Sequence, residues 1–209
     1  MSQSFKRIVL ACAVGAGLCA FSATRLFAED KPTAPAGAAA MSPEDMMKAY
    51  AEAGKPVKEH DLLKQIEGKF DAVVKEWHAP GAPPMESKAS SENQLLFDGR
   101  YVHSKFKGSM MGQPSEGISI MGFDRTKGEY FTFWIDSMST AAFTSHGTAN
   151  GNTIEFKSEM TDPVTKLKCA FRMTMEITSK DKHVFIMYMT QAPSTQEVKG
   201  MEITYTRAK

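Results

Sequence analysis

Cysteine is scarce in this chain of 209 residues: there are 3, and Cys12 and Cys19 fall in a leader-like stretch at the start. Once that stretch is removed Cys169 stands alone, which excludes an internal disulfide framework. Charge of one sign is not in excess either. Lys and Arg number 25 against 24 Asp and Glu, a formal charge of +1. Losing residues 1–28 removes Lys6, Arg7 and Arg25 and no acid, which leaves −2. So balanced a chain lacks the basic face that nucleic acid demands and gives no reason to invoke an acidic membrane surface. Long apolar runs are missing too. Ile8 to Phe21 is a run of fourteen uncharged residues, interrupted by Gly15 and Gly17, and a bilayer span needs roughly 20.

Familiar catalytic signatures are also absent. Gly117-Ile118-Ser119-Ile120-Met121 lacks the second glycine of a hydrolase nucleophile turn and lies inside a strand pattern. There is no phosphate-cradling loop and no dinucleotide fingerprint. His60, His78, His103, His146 and His183 are never two, three or four residues apart, so the local spacings of a zinc site are missing. The residues name no cofactor, and they leave the oligomeric state open.

What is present begins with an export pattern: Lys6 and Arg7, the uncharged stretch, then small residues and a cleavage point near Ala28. The expected destination is the periplasm or the exterior, with no membrane span left after cleavage. Residues 29–41 read as a flexible Pro- and Ala-rich linker. Residues 42–67 read as helical segments. Ser42 is an N-cap, Pro43 suits the first turn, Glu44 and Asp45 suit its positive end, and Gly54 with Pro56 ends the run. A second short helix is expected over 58–67. Both helices should lie on a sheet or close one end of a barrel, since neither is long enough to be stable alone.

From Gly68 the period changes to two. Lys168-Cys169-Ala170-Phe171-Arg172-Met173-Thr174-Met175-Glu176-Ile177 puts apolar residues at every odd position, as a strand does with one face in a core. Strands are expected near 69–79, 86–97, 100–108, 116–124, 129–137, 141–149, 152–161, 167–178, 183–190 and 199–207. Asp98-Gly99 and Asn150-Gly151 read as hairpin turns. The fold class is therefore all-β: about ten antiparallel strands in an up-and-down barrel over residues 68–209, with short N-terminal helices.

Two segments carry candidate chemistry. On the strand near 129–137, Phe131, Phe133 and Ile135 form one face and Tyr130, Thr132, Trp134 and Asp136 the other. One of them must point inward. The mixed face is the better candidate, because the apolar face could pack beneath the helices outside the barrel. An inward Asp136 would need partners, and Arg100, Tyr101, His146 and Tyr188 are the candidates. The second segment is methionine-rich: Met173 and Met175 on one strand, Met187 and Met189 on its hairpin neighbour. Four thioethers there would suit copper(I) if they converged; core filling against Phe171, Cys169 and neighbouring aromatics is the expected role.

Five motifs in order resemble the domain-of-unknown-function 1579 family of bacterial proteins. They are His60-Asp61-Leu62-Leu63 leading to Gly68, Pro80 to Ser87, Met110-Met111-Gly112-Gln113-Pro114 to Gly117, Trp134-Ile135-Asp136-Ser137-Met138, and Met201-Glu202-Ile203-Thr204-Tyr205. The resemblance implies a calycin-like barrel, of the kind seen in lipocalins and fatty-acid-binding proteins, with an internal cavity. It brings no activity, substrate or cofactor. The Gly-x-Trp that opens many lipocalin barrels is here Gly68-Lys69-Phe70.

The expected function is non-catalytic binding of a small, largely apolar ligand in the barrel, with Trp134, Asp136, Tyr130, His146 and Tyr188 as binding residues. The alternatives are an enzyme using Asp136 and His146, or a solid-core envelope or interaction protein.

Overall fold

Alternation of side chains between two faces forces each segment after Gly68 to seek a partner strand. Short connections make the next segment that partner. The computed structural model, which describes residues 41–79 and 81–209, shows the result. Ten strands pair in sequence order, and the last returns to the first to close an antiparallel barrel. They are β1 (Gly68–Glu76), β2 (Met85–Leu96), β3 (Tyr101–Met110), β4 (Gln113–Asp124), β5 (Glu129–Asp136), β6 (Phe143–Asn150), β7 (Thr153–Thr161), β8 (Lys168–Ser179), β9 (Lys182–Gln191) and β10 (Val198–Arg207). The up-and-down topology is the one expected from the turn spacing. One connection is tighter than expected. Strands β3 and β4 run on to a two-residue turn at Met111-Gly112, where both residues take positive φ, as close hairpins require. The leader and the linker up to residue 40 lie outside the described residues.

Residues 43–209 form one compact unit. Its N-terminal part is helix α1 (Pro43–Ala53), a 3₁₀ turn (Lys58–His60) and helix α2 (Asp61–Gln65). Only the second half closes the barrel. Leu63 and Ile66 enter one end and pack with Val102, Tyr130, Ile154, Phe156, Met173 and Ile177. Polar bonds hold this plug: Tyr130 Oη donates to Glu59 O at 2.6 Å, and Asn93 Nδ2 donates to Ile66 O at 2.7 Å. Helix α1 departs from expectation and buries none of its residues. It is held by its C-terminal carbonyls, which have no partners within the helix. Arg125 Nη1 donates to Glu52 O and Ala53 O, and Arg100 Nε to Gly54 O.

The closing seam pairs Phe70 with Arg207, Ala72 with Tyr205 and Val74 with Ile203. The Arg207 guanidinium lies over the Phe70 ring, 4.7 Å from its centroid. It also donates to Glu67 O and Lys180 O and pairs with Asp181. Gly68 permits this approach. Its φ is +120°, and a Cβ there would overlap the guanidinium. Beside the seam, His183 is buried, edge-on to Phe70 and stacked on Tyr205 at 4.3 Å. Burial, with Arg207 nearby, pushes its pKa down to about 4.

A depressed histidine pKa makes stability complete above the unfolded value of about 6.5 and progressively smaller as pH falls toward 4, because the unfolded chain takes the proton first. The shift corresponds to roughly 3 kcal/mol. Denaturant titrations from pH 7 to pH 5 should therefore show stability falling in the parent protein. His183→Phe should flatten most of that fall, and equal slopes in the two proteins would refute this role for His183.

Candidate functional site

Register decides which residues face the axis, since paired residues on adjacent strands point the same way. The buried set on β1 is Phe70, Ala72, Val74 and Glu76. Following the pairs round the barrel, Phe70 leads to Ser91, Phe106, Gly117 and Asp136. The neighbouring row runs from Asn93 through Ser104 and Ser119 to Trp134 and Phe143. The mixed face of β5 is therefore the inward one.

Trp134 and Asp136, two residues apart on that face, are joined directly. Trp134 Nε1 donates to Asp136 Oδ2 at 2.8 Å, and Met138 N donates to Asp136 Oδ1 at 2.9 Å. The indole lies on Gly117, where any Cβ would overlap its six-membered ring. Phe106 meets it edge-on at 6.1 Å. An indole wall, a second ring and a carboxylate thus sit together near the end of the barrel opposite the plug.

The other expected partners of Asp136 lie elsewhere. His146 is opposite Phe131 and faces outward, paired with Glu129 at 3.0 Å. Asp136 and His146 are on opposite faces of the sheet and do not meet. Tyr188 is opposite Arg172 and also faces outward, with the guanidinium 4.1 Å above its ring. Met187 and Met189 point in, so the residue between them must point out. Tyr101 lies against Phe131 outside, and Arg100 holds α1. Tyr130 does face inward, but it is 2% exposed and bonded to the plug, and burial pushes its pKa up to about 12. The outward face of β5 is not covered by helices: Phe133 is 37% and Ile135 40% exposed.

Methionine lines the interior more fully than the two expected pairs. Met173, Met187 and Met201 are successive cross-strand neighbours on β8, β9 and β10, and the row ends at Glu76 and Met85. Met173 and Met175 are buried in the core cluster with Phe156, and Met187, Phe171 and Phe185 pack against it. Cys169 is buried opposite Met160, and burial raises its thiol pKa. Among the described residues no three His, Cys, Asp or Glu side chains gather to hold a metal ion.

Phe106, Ser119, Thr132, Trp134, Met187 and Met201 point inward yet are only half-buried. Two depressions of about 390 and 410 Å³ are lined by outward and inward residues in alternation, Lys105, Ile118 and Ile135 with Phe106 and Asp136 in the first, and Lys157, Arg172 and Glu197 with Phe171 in the second. Glu76 and Ser87 are among the inward polar residues that escaped the sequence reading. Glu76 is 5% exposed, with Oε2 accepting from Met111 N at 3.2 Å. Ser87, opposite Val74, has a buried hydroxyl with no hydrogen-bond partner.

Gly117 offers a direct check on the wall. Gly117→Ala should displace the indole and red-shift or broaden its emission while the barrel keeps its far-UV circular dichroism. Trp77 can be silenced by Trp77→Phe in both proteins so that Trp134 alone is read. An unchanged Trp134 spectrum would contradict the packing.

Among the described residues no helix is long and apolar enough to cross a membrane. No curated protein matches the chain. Among solved structures, Rv2717c from M. tuberculosis aligns over 74% of this chain and 100% of its own, at 11% identity and a TM-score of 0.54. The S-type phycobiliprotein lyase CPES from Guillardia theta aligns over 77% of this chain and 97% of its own, at 11% identity and a TM-score of 0.48. At such identity the likeness to the mycobacterial protein is one of fold. The sequence itself is more specific: the model of DUF1579, described as a protein of unknown function, matches residues 55–207, and the chain belongs to that family.

Proposed function

We propose that this protein is an exported, non-catalytic binder of a small, largely apolar molecule, held in the barrel lumen. The observation that carries the reading is the partial accessibility of inward-facing Phe106, Trp134, Met187 and Met201 in a barrel plugged at its other end. A largely apolar chamber with a few fixed polar groups is the usual form of a small-molecule site. Methionine suits that use, because its unbranched, polarisable side chain adapts to the shape of what it touches. The leader pattern at residues 1–28 supports export.

Within this reading Trp134 is the main apolar wall and Asp136 the orienting polar group. The test uses N-phenyl-1-naphthylamine, a neutral fluorescent probe. Saturable one-to-one uptake in the micromolar range is expected for the parent. Trp134→Ala should abolish it with the barrel still folded by circular dichroism. Asp136→Asn should alter probe preference more than stability. Absence of saturable uptake by the folded parent would refute the proposal.

A further inference from the structure

The inward positions carry charge of one sign. Apart from the plugged end, β1 contributes Glu76 and β5 contributes Asp136, and the rest of the inward rows are Ser, Thr, Gly, Cys, Met, aromatic or aliphatic, with Gln113 and Gln191 near the rim. Among the described strand residues the one inward Lys or Arg is Arg207, beside the plug and already engaged by Asp181 and backbone carbonyls. Because β1 and β5 run the same way in the barrel, both carboxylates lie toward the open end. Neither is paired with a cation among the described residues. Glu76 receives one backbone N–H, and Asp136 receives the indole and one backbone N–H.

A carboxylate as buried as Glu76 is costly unless a charge or several donors meet it. Ser87, one inward step along β2 from Met85 and so beside the Glu76 pair, adds a buried hydroxyl with nothing to bond. An orphaned buried polar atom calls for a partner. The wall beside them is a row of thioethers, Met173, Met187 and Met201, which ends at Glu76. Across the chamber stand the rings of Phe106 and Trp134. Polarisable sulfur and aromatic faces both favour a positive charge with an apolar body over an anion.

We infer that the ligand is a protonated amine with an apolar body, its ammonium N–H groups donating to Glu76 and Ser87, with Asp136 on the facing wall adding negative charge to the chamber. This deepens the proposed lumen-binding function and rests on it. A fatty acid or other anion would meet two like charges and, among the described residues, no cation near them.

The experiment is calorimetric titration of the parent, below micelle formation, with decylamine, decanol and decanoate at neutral pH. These share one tail and differ in the head group. Decylamine should bind about tenfold or more tightly than decanol, and decanoate more weakly than either. Glu76→Gln and Asp136→Asn should each remove most of the preference for decylamine over decanol. Ser87→Ala should reduce the preference by about threefold, and outward Glu129→Gln should not move it. Should Glu76→Gln fail to fold, Asp136→Asn and Ser87→Ala carry the same comparison. Decanol binding with equal or tighter decanoate binding would overturn the amine assignment and leave the lumen reading standing. No binding of any of the three would overturn both.

Discussion

The barrel exists because its last strand finds its first, and that seam is the constraint on which the rest depends. Without the pairing of β10 with β1, two strands would present open edges and the inward faces would have no enclosed space to face. Arg207 ties the seam to its surroundings. One guanidinium covers Phe70, bonds the backbone of the segment that leads out of the plug, and reaches the β8–β9 turn through Lys180 and Asp181. Gly68 is needed in the same place because the guanidinium occupies the volume of a side chain there. Closure and plugging are thus one event at one end of the barrel, and that leaves the other end for access.

Strand positions were legible because a half-buried sheet writes its period into the chain. The run from Lys168 to Ile177 shows it most plainly, and β8 occupies Lys168–Ser179. The inward face of β5 was legible by elimination, since Trp134 and Asp136 have little reason to alternate on an outer surface. The placement of Tyr188 could also have been read, because a residue between two inward methionines has to face out. His146 is harder. Its face follows from the register with Phe131, which depends on how β5 and β6 are joined. Glu76 and Ser87 left no distinct signal. An acid at a strand end and a serine in a polar-looking strand both suggest solvent, and only the closed topology turns them inward. Helix α1 misleads in the opposite sense. Its apolar residues imply a buried face, yet it is held by carbonyl caps from Arg100 and Arg125.

In the proposed reading, function belongs to the lumen. Its two ends differ in chemistry as well as in closure. At the plug, Leu63, Ile66, Val102 and Ile154 make a dry aliphatic core, and polar groups there are spent on holding backbone. Toward the mouth the lining turns to sulfur and aromatic rings, with carboxylates whose partners among the described residues are neutral donors. Fixed negative groups in a chamber of low polarity select by charge as well as by shape, because moving the wrong sign out of water there is not repaid.

The claim at the centre is that the lumen holds a small molecule. Native mass spectrometry of the mature protein purified from its own host, sprayed gently and then at rising collision energy, tests it most directly. The account predicts a species heavier than the polypeptide by a discrete small mass, released as a cation on activation and lost in Trp134→Ala. A folded protein carrying only its polypeptide mass, with Trp134→Ala indistinguishable from it, would contradict the account.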